Sequence, residues 1–420
     1  MNKSKEELYK EYIDIQAYQF NNNKFDTELL NKKYLETING LEKIIPSKEY
    51  DKPKLVIFTH QFLSYLHAPT KSAVDFINLL SKIYEEVIVI ISPPNQVGDY
   101  FTFNQIYKHQ GIQNISKTHF KDEINKKAKI FFLPFNSDSK KYKKIFNEEI
   151  KISEVDTIAS IGTAIPYFDI IKSNKKLIIP TIAKNTPTTA KYIITDLGYN
   201  PKNIYNKKLK SLDVSGLSDA NTFKKLPINR SSSIILKAKY KIKKHHFNIC
   251  ISGNRLEKDF TKTGNIKLIK KLSQLEDIKV HLIGEVKKNI TELPKKIIYH
   301  PSQQNLQSYY SNFDLVLNVY REGNGTQARM ALAQEVLLAS PPGNDFSTHV
   351  PDSLIYKNDK ELLEIIDKLT SSENHKQNFS QEILQLKKQQ ASKLENDILK
   401  SIEFFKKNID TKEFIFNQNG

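Results

Sequence analysis

The chain has 420 residues, enough for two domains plus extensions at roughly 100–200 residues per domain. Apolar residues at 39% and aromatics at 10% allow each domain a buried core, which excludes a wholly disordered chain, and no run approaches the roughly 18 apolar residues of a membrane span. The net charge of +17 admits nucleic acid, an anionic membrane face or phosphorylated substrates as partners.

Residues 1–50 read as a helical N-terminal extension, with Leu8, Tyr12, Ile15 and Tyr18 at helical spacing. Leu55 to Thr59 then reads as a short buried strand, followed by a loop, an amphipathic helix carrying Val74, Phe76, Ile77, Leu79 and Leu80, and a strand at Val87–Ile91. Strand–helix–strand order implies a parallel sheet. Further strands are expected at 130–133, 157–161, 177–179 and 192–194, since unbroken β-branched runs suit strands covered on both faces. Residues 200–245 lose this pattern and read as a linker, with one strand expected at Ile234–Leu236. A second series follows at 247–251, 280–283, 297–299, 315–318 and 336–339, and residues 380–406 read as one long helix. The expected architecture is α/β: two Rossmann-like, doubly wound domains at 51–235 and 246–380, a helical segment at 381–420, and ligands in a cleft faced by the strand ends.

The single cysteine, Cys250, excludes an intrachain disulfide and a cysteine-based zinc cluster. Met1 to Glu7 lacks an apolar core and reads as no signal peptide, so a cytoplasmic location is expected. Against 64 cationic residues only four are arginines, Arg230, Arg255, Arg321 and Arg329, all in the C-terminal half. Guanidinium forks grip phosphate where ammonium gives only a point charge. Gly253, Gly284, Gly323, Gly325 and Gly343 lie at or just after expected strand ends. Each alone could be an ordinary turn; as a set beside three arginines they favour a phosphate-binding rim. The sharpest stretch is Asp314 to Ser340, where a strand feeds the loop Arg321-Glu322-Gly323-Asn324-Gly325 and a helix opens at Thr326. Free N–H groups and the positive dipole end favour a phosphate there, and Thr326 can cap the helix or meet a phosphate oxygen. The stretch is neither a Walker loop nor a dinucleotide fingerprint.

Glu322-Gly323-Asn324-Gly325, followed by Ala331-Leu332-Ala333 and Val336 to Ser340, resembles the donor-site signature of GT-B glycosyltransferases. Tyr299-His300-Pro301, Leu306, Tyr309-Tyr310, Asn312 to Leu315 and Gly323-Asn324 are similar to the bacterial adhesin glycosyltransferases related to O-GlcNAc transferase. The resemblance spans roughly residues 247–345. It implies that Glu322, Gly323, Asn324, Gly325 and Thr326 contact the sugar and diphosphate of a nucleotide sugar, with Arg255 and Lys258 neutralising the leaving diphosphate; Gly253, at the end of that domain's first strand, is counted with the nucleotide-sugar site. It also implies a carboxylate on the nucleotide ribose where this chain has Met330, and Glu335 stands further along the same helix.

In the first domain, His67 precedes Ala68-Pro69-Thr70, a helix start that would hold it at the cleft as base toward an acceptor hydroxyl, unless it is an ordinary capping residue. His60 reads as a loop residue. The loop after Ile161 and the stretch Lys184 to Thr189 are further candidates, the latter resembling a His-Pro-Ala-Thr-Thr loop of the adhesin enzymes with Thr186 at the histidine position. There is no Asp-x-Asp triplet, so no metal is expected and cations with a helix terminus would stabilise the diphosphate. The expected function is glycosyl transfer, with no cofactor, a UDP-linked donor, and a glycan or glycolipid acceptor in bacterial surface glycan synthesis. A bacterial adhesin (Asn or Ser/Thr) is the second acceptor reading. Peripheral contact with an anionic inner membrane face is expected from the charge. Nucleic-acid binding is the alternative class, supported by charge alone, and a sugar-phosphate epimerase of similar build is a third.

Overall fold

The computed structural model describes residues 3–22, 26–45, 54–59, 68–92, 111–113, 128–162, 165–173, 176–179, 189–190, 192–195, 210–213, 220–227, 233–234, 237–238, 242, 245–253, 256, 259–260, 265–284, 293–301, 303, 305–321 and 325–406. The chain divides into two compact units, Met1–Asp219 with Asn396–Gly420, and Ala220–Glu395.

The first unit opens with helices α1 (Lys5–Asn22) and α2 (Thr27–Ile38). Its sheet holds β1 (Lys54–Thr59), β2 (Glu86–Ile91), β3 (Gly111–Gln113), β4 (Ala128–Phe132), β5 (Thr157–Ile161), β6 (Lys176–Ile179), β7 (Tyr192–Thr195) and β8 (Lys210–Asp213). The strand order is β3-β4-β2-β1-β5-β6-β7-β8, parallel except for β3, which pairs antiparallel with β4. Both faces of the central strands are buried, which is why they read as continuous apolar runs. Side chains alternate across the sheet. Leu55, Ile57, Val87 and Val89 therefore meet α3 (Ala68–Leu80) through Val74, Phe76, Ile77 and Leu80. Val56, Phe58, Ile88 and Ile90 pack instead with Tyr9, Tyr12 and Tyr34 of the N-terminal helices. Helices α1 and α2 thus carry part of this unit's core: Tyr9 stands edge-on to Phe135 at 5.1 Å, and Asp26 caps α2 through the Leu29 N–H at 2.9 Å.

Two short α-helices, α4 (Ser139–Lys144) and α5 (Pro166–Ile170), complete the first unit's described α-helices before the C-terminal segment. On α5, Asp169 is buried and accepts bonds from the Thr189 N–H (2.7 Å), the Thr189 hydroxyl (2.8 Å) and the Tyr34 hydroxyl. Buried Lys176 donates to that same threonine oxygen and to the Ile171 carbonyl (2.9 Å), and lies 4.5 Å over the Phe168 ring. A buried carboxylate and a buried ammonium are thereby bridged through one threonine, which lowers the cost of burying each charge.

The second unit has the strands β9 (Phe247–Ser252), β10 (Ile278–Ile283), β11 (Ile298–His300), β12 (Leu315–Leu317) and β13 (Leu337–Ala339), all parallel, in the order β11-β10-β9-β12-β13. Its helices are α6 (Asn265–Gln274), α7 (Leu306–Tyr310), α8 (Gly325–Ala333) and α9 (Asp359–Ser371). Helix α10 (Glu373–Lys406) belongs to this unit up to Glu395 and to the first unit from Asn396 onward, where Ile398 and Ile402 pack against the β1–β2 core. Ser233 and Ile234 are helical, which corrects the strand expected to begin there. Among the described residues, no helix is long and apolar enough to cross a membrane.

Candidate functional site

The carboxyl ends of β9, β10, β12 and β13 bring Ser252, Gly253, Gly284, Asn318 and Ser340 to one edge of the second sheet. Two glycines there are required by space. Gly284 has φ +140°, and a Cβ on it would lie 1.9 Å from the Gly253 carbonyl oxygen. A Cβ on Gly253 would lie 2.4 Å from Arg321 Nη1. The absent side chain of Gly284 lets the two strand ends approach, and that of Gly253 makes room for the Arg321 guanidinium.

Helix α8 opens at this edge. Its first N–H, on Gly325, donates to Asp345 Oδ2 at 3.0 Å, so a carboxylate from the chain itself meets the positive helix end. Crowding by surrounding protein pushes the Asp345 carboxyl up, against the pull of the Gly325 and Phe346 N–H groups and the Arg329 charge. Gln327, in the first turn, accepts a bond from the Ser252 hydroxyl at 3.0 Å. That hydroxyl has one proton, so the Tyr310 hydroxyl donates to it across 2.6 Å.

Arg321 departs from the expected role of a phosphate-facing cation at the loop. Its side chain is 4% exposed. Nε donates to Asn318 Oδ1 (3.0 Å), Nη1 to Asp259 Oδ2 (3.1 Å) and Nη2 to the Ser252 carbonyl. It is a brace between the ends of β9 and β12. Fully buried Asn265 makes a parallel tie, accepting from the Tyr320 N–H (3.0 Å) and donating to the Tyr320 and Asp259 carbonyls (3.1 Å each). Asn318 in turn donates to Ser340 and to Asn344 at 3.3 Å, which draws in the end of β13.

Of the residues singled out from sequence, Gly253, Gly325 and Thr326 lie together at this edge. Arg255, Lys258, Glu322, Gly323, Asn324 and His67 lie outside the described residues, as do His60, Arg230 and the stretch 184–188. Met330 is one turn into α8. Glu335 lies beyond the last turn, with φ 62°, and is paired with Lys387 (2.8 Å) and Lys225 (2.5 Å). Its carboxylate is committed at the opposite end of α8 from Gly325. Among the described residues, no three His, Cys, Asp or Glu side chains converge on one point.

His300, part of the similarity to the adhesin enzymes, is buried in a directed chain of hydrogen bonds. Asn248 donates through Nδ2 to Asp314 (3.1 Å), so its Oδ1 accepts from His281 Nε2 (3.2 Å). His281 Nδ1 is then a lone pair and accepts from His300 Nε2 (2.9 Å), leaving His300 Nδ1 to accept from the Tyr309 hydroxyl (2.6 Å). Burial lowers both rings' proton affinity, with His281 brought down to about 3 and His300 to about 4. Sequence reading missed this chain and the Arg321 brace, because their partners are distant in sequence. The only available signal was the rarity of arginine.

No protein-family model matches the chain, and no curated protein matches it in sequence. Solved structures do match in shape. A glycosyltransferase from Rickettsia africae superposes with a TM-score of 0.60 at 15% identity, over 86% of this chain and 100% of its own. The Anabaena protein HepE, solved with UDP-glucose, gives 0.54 at 11% identity over 84% and 99%. An O-GlcNAc transferase of Thermobaculum terrenum gives 0.53 at 10% identity over 91% and 74%. What is common at such low identity is architecture: this chain has the two-domain α/β fold of the GT-B glycosyltransferases.

Proposed function

We propose that the chain is a glycosyltransferase that takes a sugar from a nucleotide-diphosphate donor, UDP-linked by preference, and passes it to a glycan or glycolipid acceptor. The observation that carries this reading is the C-terminal edge of the second sheet. There, glycine-bounded strand ends and the first turn of α8 meet in a GT-B fold, the place where open α/β sheets take ligands. HepE, a neighbour in fold, was solved with UDP-glucose.

In the proposed reaction the acceptor oxygen attacks the anomeric carbon as the bond to the diphosphate breaks. Negative charge grows on the leaving diphosphate. Arg255, Lys258 and the N–H groups of the first turn of α8 beyond that of Gly325, which Asp345 holds, would stabilise it, and preorganised donors of this kind are among the largest contributors to catalysis. The acceptor proton would pass to His67. With Glu335 held by two lysines, the ribose contact expected of a carboxylate in this helix would come from another group.

The test is turnover of a nucleotide-sugar panel, with hydrolysis and transfer read by mass spectrometry, and glycan, glycolipid and adhesin-derived peptide acceptors in parallel. Arg255→Ala, if folded, should weaken donor binding and slow turnover. Glycosylated peptide without glycolipid product would move the acceptor to protein. No turnover and no donor binding with any nucleotide sugar would reject the reading.

A further inference from the structure

Arg321 is a buried cation held by three protein acceptors, and nothing in the reaction proposed above uses it. Each of its three donor directions ends on a different segment: Asn318 after β12, the Ser252 carbonyl at the end of β9, and Asp259. In sequence, Ser252 and Asp259 bracket Arg255 and Lys258, and Arg321 itself directly precedes Glu322. One guanidinium therefore holds both borders of one donor-binding stretch and stands at the border of the other. Asn265 joins the same borders again, through Tyr320 and Asp259. Gly253 leaves the room: its missing side chain is what lets Nη1 lie where it does.

We propose that Arg321 is a positioning residue for diphosphate recognition, fixing the spacing of the β9 and β12 ends that flank the donor site. The proposal rests on the donor-site reading above. Arg321 is not itself a phosphate ligand, since its charge is matched by Asp259 and its N–H groups are directed at protein acceptors. Its fork is what matters. Lysine keeps the charge but offers no planar set of diverging donors, so it cannot hold three segments at fixed angles. A diphosphate read by cations on the segment after β9 and by backbone N–H groups on the segment after β12 is sensitive to their spacing, whereas a nucleoside, which lacks the phosphates, is not.

The experiment is calorimetric titration of the full chain with uridine and UDP, guanosine and GDP, and adenosine and ADP, using the pair that the wild type binds most tightly. In Arg321→Lys, diphosphate affinity should fall about tenfold or more, the loss of a charge-assisted bonding geometry, while nucleoside affinity stays within about twofold. Gly253→Ala forces the guanidinium aside and should produce the same selective loss. Combined with Arg321→Lys it should add little, because the brace is already broken. Should Arg321→Lys not fold, judged by its melting curve, Gly253→Ala carries the same comparison. Equal losses for nucleoside and diphosphate, unchanged diphosphate binding in folded variants, or additive effects in the double variant would each overturn the proposal and leave the donor site standing. A wild type that binds no nucleoside diphosphate would overturn the donor-site reading and this proposal with it.

Discussion

Lowering the pH from 7 to 5 should destabilise the second unit through His281 and His300, which are 0% and 1% exposed. In the unfolded chain each ring titrates near its ordinary value of about 6.5. In the folded chain burial brings them down to about 3 and about 4. The hydrogen-bond chain gives an independent reason: a proton on His281 Nδ1 would set N–H against the N–H of His300. Between about pH 6.5 and 4 the unfolded state therefore binds more protons than the folded state, and stability falls as pH falls. At pH 5 the size depends on the unfolded value alone, since the folded rings are still neutral: 1.5 pH units at 1.36 kcal/mol each is about 2 kcal/mol per ring, or about 4 kcal/mol for the pair. The assay is urea unfolding at pH 7, 6 and 5 for the wild type and for His281→Gln/His300→Gln. Glutamine can accept one bond and donate another, so it preserves the direction of the chain without the titration. The double variant should be the less stable at pH 7 and should lose about 4 kcal/mol less between pH 7 and 5. Parallel pH profiles for the two proteins would refute the assignment of acid sensitivity to these rings.

Gly284→Ala should cost about 3 kcal/mol or more, read as a lowered urea midpoint, because both its φ and the 1.9 Å approach to the Gly253 oxygen resist a side chain. Asp345→Ala removes the acceptor for the Gly325 N–H and should cost about 1 kcal/mol in melting experiments, with Asp345→Asn losing less. If His67 is the acceptor base, His67→Ala should cut turnover by about 10²–10⁴-fold while donor affinity holds, and near-normal turnover would reduce it to a loop residue. Turnover should persist in a chelator, as the missing Asp-x-Asp triplet implies; full loss restored by magnesium or manganese would contradict that.

The strands were legible because parallel strands buried on both faces are unbroken apolar runs, as in Leu55–Phe58, Val87–Ile91 and Ile249–Ile251. Edge strands carry no such mark. Lys210–Asp213 extends the first sheet by parallel pairing with β7, yet its sequence, Lys-Ser-Leu-Asp, is mostly polar and lies in what reads as a linker. Gly111–Gln113 is similarly short. At the candidate site, the glycines were legible as strand-end residues because a parallel α/β sheet must turn there. The role of Arg321 was not. A guanidinium fork fits phosphate, carboxylate and carbonyl equally well, and only the fold shows that Asp259, Asn318 and Ser252 occupy it. Asp345 was missed for a related reason: it caps a helix that begins twenty residues earlier in the sequence.

Histidine, asparagine and serine on the inner face of a buried parallel sheet would ordinarily weaken it, because each buried polar group needs a partner. Here Asn248, Ser252, His281 and His300 occupy such positions in β9, β10 and β11. The donors and acceptors assigned to His300, His281 and Asn248 run in one direction, from Tyr309 to the Asp314 carboxylate, so the chain has no point at which two protons or two lone pairs meet. Such a network is stiff, because rotating one ring leaves two neighbours unpartnered. Its neighbour in sequence ties it to the candidate site. Tyr309 and Tyr310 are consecutive on α7: the first closes the histidine chain, and the second bonds Ser252, which bonds Gln327 in the first turn of α8. The five-residue helix α7 therefore links a buried polar seam to the start of the helix at which the diphosphate is proposed to bind. The energetic reason for polar residues in this core is specificity of placement: an apolar face could slide against α7 and α8, whereas directed hydrogen bonds admit one register.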